Sequence, residues 1–562
     1  MRRRLTGKGT GRFLLVKSVS ARRHRRFYVR NMNGPVVRLI DATHTPYNLS
    51  IASARTCYSS KGIIYPEDVS ATPKAVELRD RIARSTLQAG HLTTRQHPHF
   101  IFTIENVSRH LVWCFLHSHP FYNSEQVSQR YVEVKADRYH VPSSLDRDET
   151  LRTLYLQVMQ RMTDAYFELI RLLEPEAERI FYSIFPARRK SHDRWKNTIH
   201  KKAMEAARYV LPVATHTYLY HTINGLTLHR YRRMAKASDV PREAKDLVDA
   251  MWFAVCEHDP LYAAEMRDSL PLEETTEFRF FNEFFGSNRS ESLGFSGSIE
   301  KQISKQFVRE FDETLQGRIA RLCGSNAEAV HTLGASVRAV LGMPSSALSD
   351  AGAMALLLDP ARNRHLGSTL NESTMSRLTR SLYNVQFTYQ KKISHTADSQ
   401  DQRHRTVPAS RPVLMRQFTG DVDAIVPELI EQCESARQYY NEQLSDLFRT
   451  IVRFLDAGGT EEEAVYMLPN AFPIRFYESG DLLNLHHKWK ARTCYNAQEE
   501  IFRASVEELD QAAVVLPGLT DWLRAPCYLR KRSGERPFCP EGDRFCGIPV
   551  WNQELSEYRR VL

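Results

Sequence analysis

Three stretches of this 562-residue sequence return later in the same order. Phe102-Thr103-Ile104 is echoed by Phe387-Thr388-Tyr389. Ala207-Arg208-Tyr209-Val210-Leu211-Pro212 is echoed by Ala464-Val465-Tyr466-Met467-Leu468-Pro469, and Leu226–Met234 by Leu482–Lys490. One such echo arises easily by chance, but three in one order point to a duplicated unit. The most Gly- and Ser-rich stretch lies between the two series, from Gly286-Ser287-Asn288 to Gly297-Ser298, and reads as a linker. The sequence therefore predicts a basic tail over 1–34, a first copy over 35–285, a linker over 286–300 and a more divergent second copy over 301–562.

Local patterning fills in the first copy. Val36–Ile40 and Phe100–Ile104 read as strands, and Pro46–Tyr58 and Ala75–Gln88 as helices. Gly90-His91 gives a helix stop, and 150–183 and 199–235 read as long helices with Pro212 as a local disturbance.

The formal charge of +11 would suggest a nucleic-acid partner if it were spread over folded surface. Eleven of the 77 basic side chains lie in residues 1–30, which contain no acid, and the remainder is balanced at 66 against 66. A one-signed block of this kind repels itself and is expected to be unordered. The charge thus gives no reason to expect a specific nucleic-acid partner. No apolar run is long enough for a membrane span or a secretory signal. Nine widely spaced cysteines, an odd number, favour a reducing compartment over a disulfide framework, with the cytoplasm as the expected location.

Several polar constellations could carry chemistry. Ser128-Gln129-Arg130 offers a hydroxyl, turn N–H groups and a guanidinium to one oxyanion, a cradle for phosphate. Gln400 and Arg403-His404-Arg405 supply flat and cationic donors suited to phosphates and carbonyl acceptors. The same triplet at Arg23-His24-Arg25, in the tail, shows how little it means alone. Arg492 stands in a helix–turn–helix setting, where a guanidinium over a flat heterocycle can stabilise its anion. On residue chemistry alone each of these also reads as a solvated polar loop or helix face. Cys527, Cys539 and Cys546 lie in a Pro/Gly-rich segment, but without an evident fourth ligand or the short pairs typical of zinc they are expected to hold no metal. Nothing resembles a Rossmann or P-loop fingerprint.

Taken in order, these segments resemble the flavin-dependent thymidylate synthases. Val37-Arg38-Leu39-Ile40-Asp41-Ala42 to Ala54-Arg55-Thr56-Cys57-Tyr58-Ser59 is similar to the family's first strand and helix. Gly90-His91-x-Thr93 through His97 resembles its GHxTxxEH loop, with Gln96 in place of Glu. Ser128-x-Arg130-Tyr131 matches the end of the signature RHRxxSxNExSxRY. Arg208 and Asn224 match a phosphate-side arginine and a flavin-side asparagine. In the first copy, however, His117-Ser118-His119 stands where Arg-His-Arg is expected, and Ala235 where the ring-activating arginine belongs. The second copy shows the reverse: Arg403-His404-Arg405, Gln400 and Arg492 are kept, while the loop, the Ser-x-Arg-Tyr turn and the Leu-Pro arginine (Val465 instead) are lost.

The resemblance implies an α/β (α+β) fold, each copy a mainly antiparallel sheet flanked by long helices. It also implies reductive methylation of dUMP to dTMP, with FAD as cofactor and NADPH and methylenetetrahydrofolate as co-substrates, at a composite site built from both copies. Arg492 would be catalytic. Thr93, Gln96, Gln126, Asn224, Arg403, His404 and Arg405 would hold cofactor. Ser128, Gln129, Arg130, Arg208, Gln400, Arg403 and Arg492 would hold dUMP. A homodimer would rebuild the family's four-copy assembly. The alternative is a degenerate relative that binds nucleotide or flavin without turnover.

Overall fold

The computed structural model describes residues 13–15, 27–31, 34–117, 121–235, 240–265, 271–285, 298–560 and 562. Two antiparallel sheets organise it, each in its own compact unit. One unit comprises residues 1–160, 212–295 and 453–468; the other comprises 161–211, 296–452 and 469–562.

The first unit is built on a six-stranded sheet in the order β1-β2-β3-β4-β6-β5. These strands are Phe13–Leu15, Phe27–Asn31, Val36–Ala42, His99–Ser108, Tyr122–Gln126 (β5) and His216–Asn224 (β6). Residues 216–224 correct the expected continuous 199–235 helix. The helix stops at Ala207, and β6 follows with Thr217, Leu219, His221 and Ile223 buried while Tyr218 and Tyr220 are exposed. That two-residue alternation of aromatic and β-branched side chains is a half-buried strand, and it overrides the helical reading. The helix Gly225–Met234 then starts from Asn224, whose side chain accepts from the Thr227 N–H. A Cβ on Gly225 would lie 2.6 Å from the Tyr262 hydroxyl and 2.9 Å from the Arg95 carbonyl, so only glycine lets the backbone pass.

The acid-free segment also departs from expectation, because β1 and β2 pair in register with each other and β2 with β3. The rest of 1–33 lies outside the described residues, as do linker residues 286–297.

The second unit is built on the sheet β7-β8-β10-β9: Ala320–Ser325, Gln386–Ser394, Ala409–Ser410 (β9) and Pro473–Asp481 (β10). Its β8–β10 pair matches β4–β6, with Phe387 opposite Gly480 as Phe100 is opposite Ile223. The echo between Phe102 and Phe387 is therefore displaced. Tyr389 is the residue that corresponds to Phe102, because β4 carries an irregularity between Ile104 and Val107.

Each unit takes one segment from the other half of the sequence, and the two exchanges are reciprocal. In the first unit Val213 and Ala214 donate their N–H groups to the carbonyls of Leu468 and Tyr466; in the second, Asn470 and Ala471 donate to Leu211 and Tyr209. A buried carboxylate locks each exchange. Glu243 accepts from the Ser108 backbone and hydroxyl and from the Tyr466 hydroxyl (3.0 Å). Glu500 accepts from the Ser394 backbone and hydroxyl and from the Tyr209 hydroxyl (2.8 Å). The two echoed Leu-Pro segments thus serve as struts for one another's sheets, and the duplication seen in the sequence is a duplication of the fold.

Candidate functional site

In the second unit the Ser394 hydroxyl caps the short helix His395–Asp401, which opens into the turn carrying Arg403, His404 and Arg405. The helix Leu482–Arg492, capped by Asp481, ends at Arg492 and is followed at once by Thr493 and Cys494. The two segments meet at their ends. Arg492 donates from Nε to His404 Nε2 at 2.8 Å and from Nη2 to the Gln400 carbonyl at 3.1 Å. Burial, then the neighbouring Arg492 charge, holds the His404 imidazole well below its usual range. It is therefore neutral, and its unprotonated Nε2 can accept from the guanidinium. Arg492 stays half-buried, Arg403 is exposed and Arg405 half-buried, so the cationic groups lie where a ligand can reach them.

Arg208 lies in the same unit. It comes from the first half of the sequence, but the exchange carries it into the second unit, at the end of the helix His192–Ala207. It is 4% exposed, and its carbonyl accepts from Asn470 at 3.0 Å. Arg208, Gln400, Arg403, His404, Arg405 and Arg492 therefore belong to one compact body, while Val465 and Ala235, where the arginines are missing, belong to the other. Sequence order alone separates Arg208 from Arg492 by half the chain.

The first unit positions the remaining predicted residues. Gly90, at φ +75, turns the chain into the short helix Leu92–Gln96. Arg95, fully buried, anchors that helix by donating to Thr86, Thr94 and the Ala83 carbonyl. Thr93 and Gln96 are left exposed on its surface. Gln126 ends β5 and donates to Thr217 at 3.2 Å. Ser128 opens a turn in which its hydroxyl accepts from the Arg130 N–H at 3.2 Å, with the Arg130 guanidinium 5.3 Å from the Tyr131 ring centre. Gln129 and Arg130 are buried. Asn224 spends its side-chain oxygen on the helix cap. Ser118 and His119, from the substituted triplet, lie outside the described residues.

Sequence reading missed two features. Cys494 is a fourth thiol that lines one small cavity, about 20 Å³, with Cys527, Cys539 and Cys546. Burial pushes Cys494 and Cys527 up to about 12. Among the described residues no cluster of three or more ligating side chains is arranged to hold a metal ion. The second feature is a buried charged cluster next to the Gln400–Arg405 turn, brought together by the pairing of β8 with β10 and by three helices packed against them.

Comparison with known proteins matches residues 38–261 and 319–518 to the family model described as "Thymidylate synthase complementing protein". A flavin-dependent thymidylate synthase from Clostridium tetani is 28% identical over 218 residues, 39% of this chain and 81% of that protein. One from Nitratidesulfovibrio vulgaris is 28% identical over 34% of this chain and 69% of its own. One from Mycobacterium tuberculosis is 30% identical over 25% and 51%. A solved UMP/dUMP methylase PolB from Streptomyces cacaoi aligns at 19% identity over 41% of this chain and 96% of its own, with a TM-score of 0.28, too low to carry an argument. No described helix is long and apolar enough to cross a membrane.

Proposed function

The chain belongs to the thymidylate synthase complementing protein family, and from that premise we propose that it methylates dUMP reductively to dTMP. The observation that carries this reading is the Arg492–His404–Gln400 junction. Arg492 is held by a neutral imidazole and a carbonyl. Both of these acceptors are uncharged, so neither of them offsets the Arg492 guanidinium charge. It stabilises the ionised pyrimidine, which activates the ring without a covalent thiol. Gln400 reads the uracil edge. Ser128, Gln129, Arg130 and Arg208 take the nucleotide phosphate, and Arg403 also binds the substrate.

The donor set also fits a flavin dinucleotide. The exposed guanidinium of Arg403 and the half-buried one of Arg405 suit a diphosphate, and His404 offers a flat ring beside them. Thr93, Gln96, Gln126 and Asn224 complete the cofactor contacts. When bound, the flavin supplies the hydride, drawn in turn from NADPH, and methylenetetrahydrofolate supplies the carbon.

The test is direct. The purified protein should bind about one FAD per chain and oxidise NADPH only when dUMP is present. Arg492→Ala should abolish dTMP formation while flavin binding persists. Flavin and nucleotide binding without turnover would instead support the non-catalytic alternative. Two chains together should rebuild a four-copy assembly, and a stable monomer in sedimentation would refute that assignment.

A further inference from the structure

Next to the Gln400–Arg405 turn, five charged side chains are shut away from water, each with its side chain 0–1% exposed. Lys391, on β8, lies 2.5 Å from Asp401, 3.1 Å from Glu478 and 2.9 Å from Glu508. Lys488, on the Leu482–Arg492 helix, reaches the same three carboxylates: Asp401 at 3.2 Å, Glu508 at 3.5 Å, and Glu478 in direct contact. The Trp489 indole donates to Glu508 at 2.8 Å, and a second buried pair, Arg411–Asp398, adjoins through a bidentate contact at 2.7 and 2.8 Å. Burying charges on this scale is expensive even when they are paired, so stability alone is a poor reason for them.

The other unit shows what this part of the fold can do without charges. Ser108 with Glu243, and Ser394 with Glu500, mark corresponding points, as do the helix caps Asn224 and Asp481. Counted from those landmarks, Phe115 stands where Asp401 does, His221 where Glu478 does and Tyr231 where Lys488 does. They form a neutral cluster: Phe115 to Tyr231 ring centres are 4.1 Å apart, Phe115 to His221 5.0 Å, and His221 Nε2 lies 3.2 Å from the Tyr231 hydroxyl. The unit with the neutral set has Ala235 in place of the ring-activating arginine, and the unit with the charged set has Arg492.

We infer that the Asp401–Glu478–Lys488 set, backed by Lys391 and Glu508, is a positioning device that fixes Arg492 and the Gln400–Arg405 turn against each other. This rests on the proposed role of Arg492. Lys488 lies one helical turn before Arg492, and Asp401 lies between Gln400 and His404. Two rungs therefore join the same two segments: a fully buried ionic rung, Lys488–Asp401, and a half-buried rung, Arg492 to His404 and the Gln400 carbonyl. Ring packing tolerates sliding, whereas paired charges with directed hydrogen bonds hold one register.

The fold provides its own control. The triple variant Asp401→Phe, Glu478→His, Lys488→Tyr installs the neutral set and leaves Lys391 and Glu508 as a balanced pair. A crystal structure of this variant should show the Arg492–His404 bond broken. The FAD-loaded variant should keep its flavin yet lose roughly a hundredfold in kcat, the scale of a 1 Å misplacement, together with a higher KM for dUMP. If the triple variant does not fold, Glu478→Gln, which equalises carboxylates and ammonium groups, is put through the same two measurements. An intact Arg492–His404 bond with unchanged kcat and KM would overturn the inference. If the wild-type protein shows no dUMP-dependent turnover, the proposed function fails, and the Arg492–His404 bond still decides the positioning claim.

Discussion

Replacing Glu500 by alanine tests the reciprocal exchange on which both sheets depend. Glu500 is buried and accepts from three donors: the Ser394 N–H, the Ser394 hydroxyl at 2.6 Å and the Tyr209 hydroxyl at 2.8 Å. Each buried donor left without a partner costs about 1–3 kcal/mol, so the raw loss is about 3–9 kcal/mol. Part is returned, because burial already pushes the Glu500 carboxyl up and its removal relieves that desolvation. Water entering the vacated space would satisfy some of the donors. A net loss of about 3–5 kcal/mol is expected on those grounds.

Because the chain divides into two units, the assay must be local. Hydrogen exchange followed by mass spectrometry should show the loss in peptides covering 386–401 and 205–211. In a background already carrying Ser394→Ala and Tyr209→Phe, the same Glu500→Ala change should cost much less, since two of the three donors are gone. A loss below about 1 kcal/mol, or one that is unchanged in the double background, would refute the claim that this carboxylate locks the exchange.

Acid should weaken the fold through its buried imidazoles. His216, His221 and His486 are lowered by burial to about 3. Each takes a proton in the unfolded chain below about 6.5 and refuses it in the fold, so their contribution is complete above that pH and lost as pH falls toward 3. Each should cost about 2 kcal/mol at pH 5 relative to pH 7, measurable by urea titration at both values; equal midpoints would contradict it. Gly225→Ala should destabilise the first unit by about 1–3 kcal/mol through the clash with Tyr262 and the Arg95 backbone, seen as a lowered thermal midpoint. In thiol titration with a disulfide reagent near pH 8, exposed Cys57 should react well before Cys494 and Cys527, and equal rates would argue against their burial.

The sequence alone determined the duplication, most local elements and the identity of the chemical groups. Strand β4, the helices ending at Gln88 and Ile184, and the Ser128 turn were all legible because apolar spacing and turn residues act over a few positions. Strand β6 was misread because Leu and the aromatics around Pro212 fit either period until pairing with β4 fixes the alternation. Tertiary structure decided how the parts combine. It brought Arg208 into the body that carries Arg492, added Cys494 to three other thiols, and set charged residues in one unit where the other has rings. No local pattern encodes those outcomes. They depend on contacts beyond the reach of a local pattern, from Cys494 near Cys527 to Tyr209 on Glu500 across half the chain, and those partners are chosen by strand register and by the exchange of the two Leu-Pro segments.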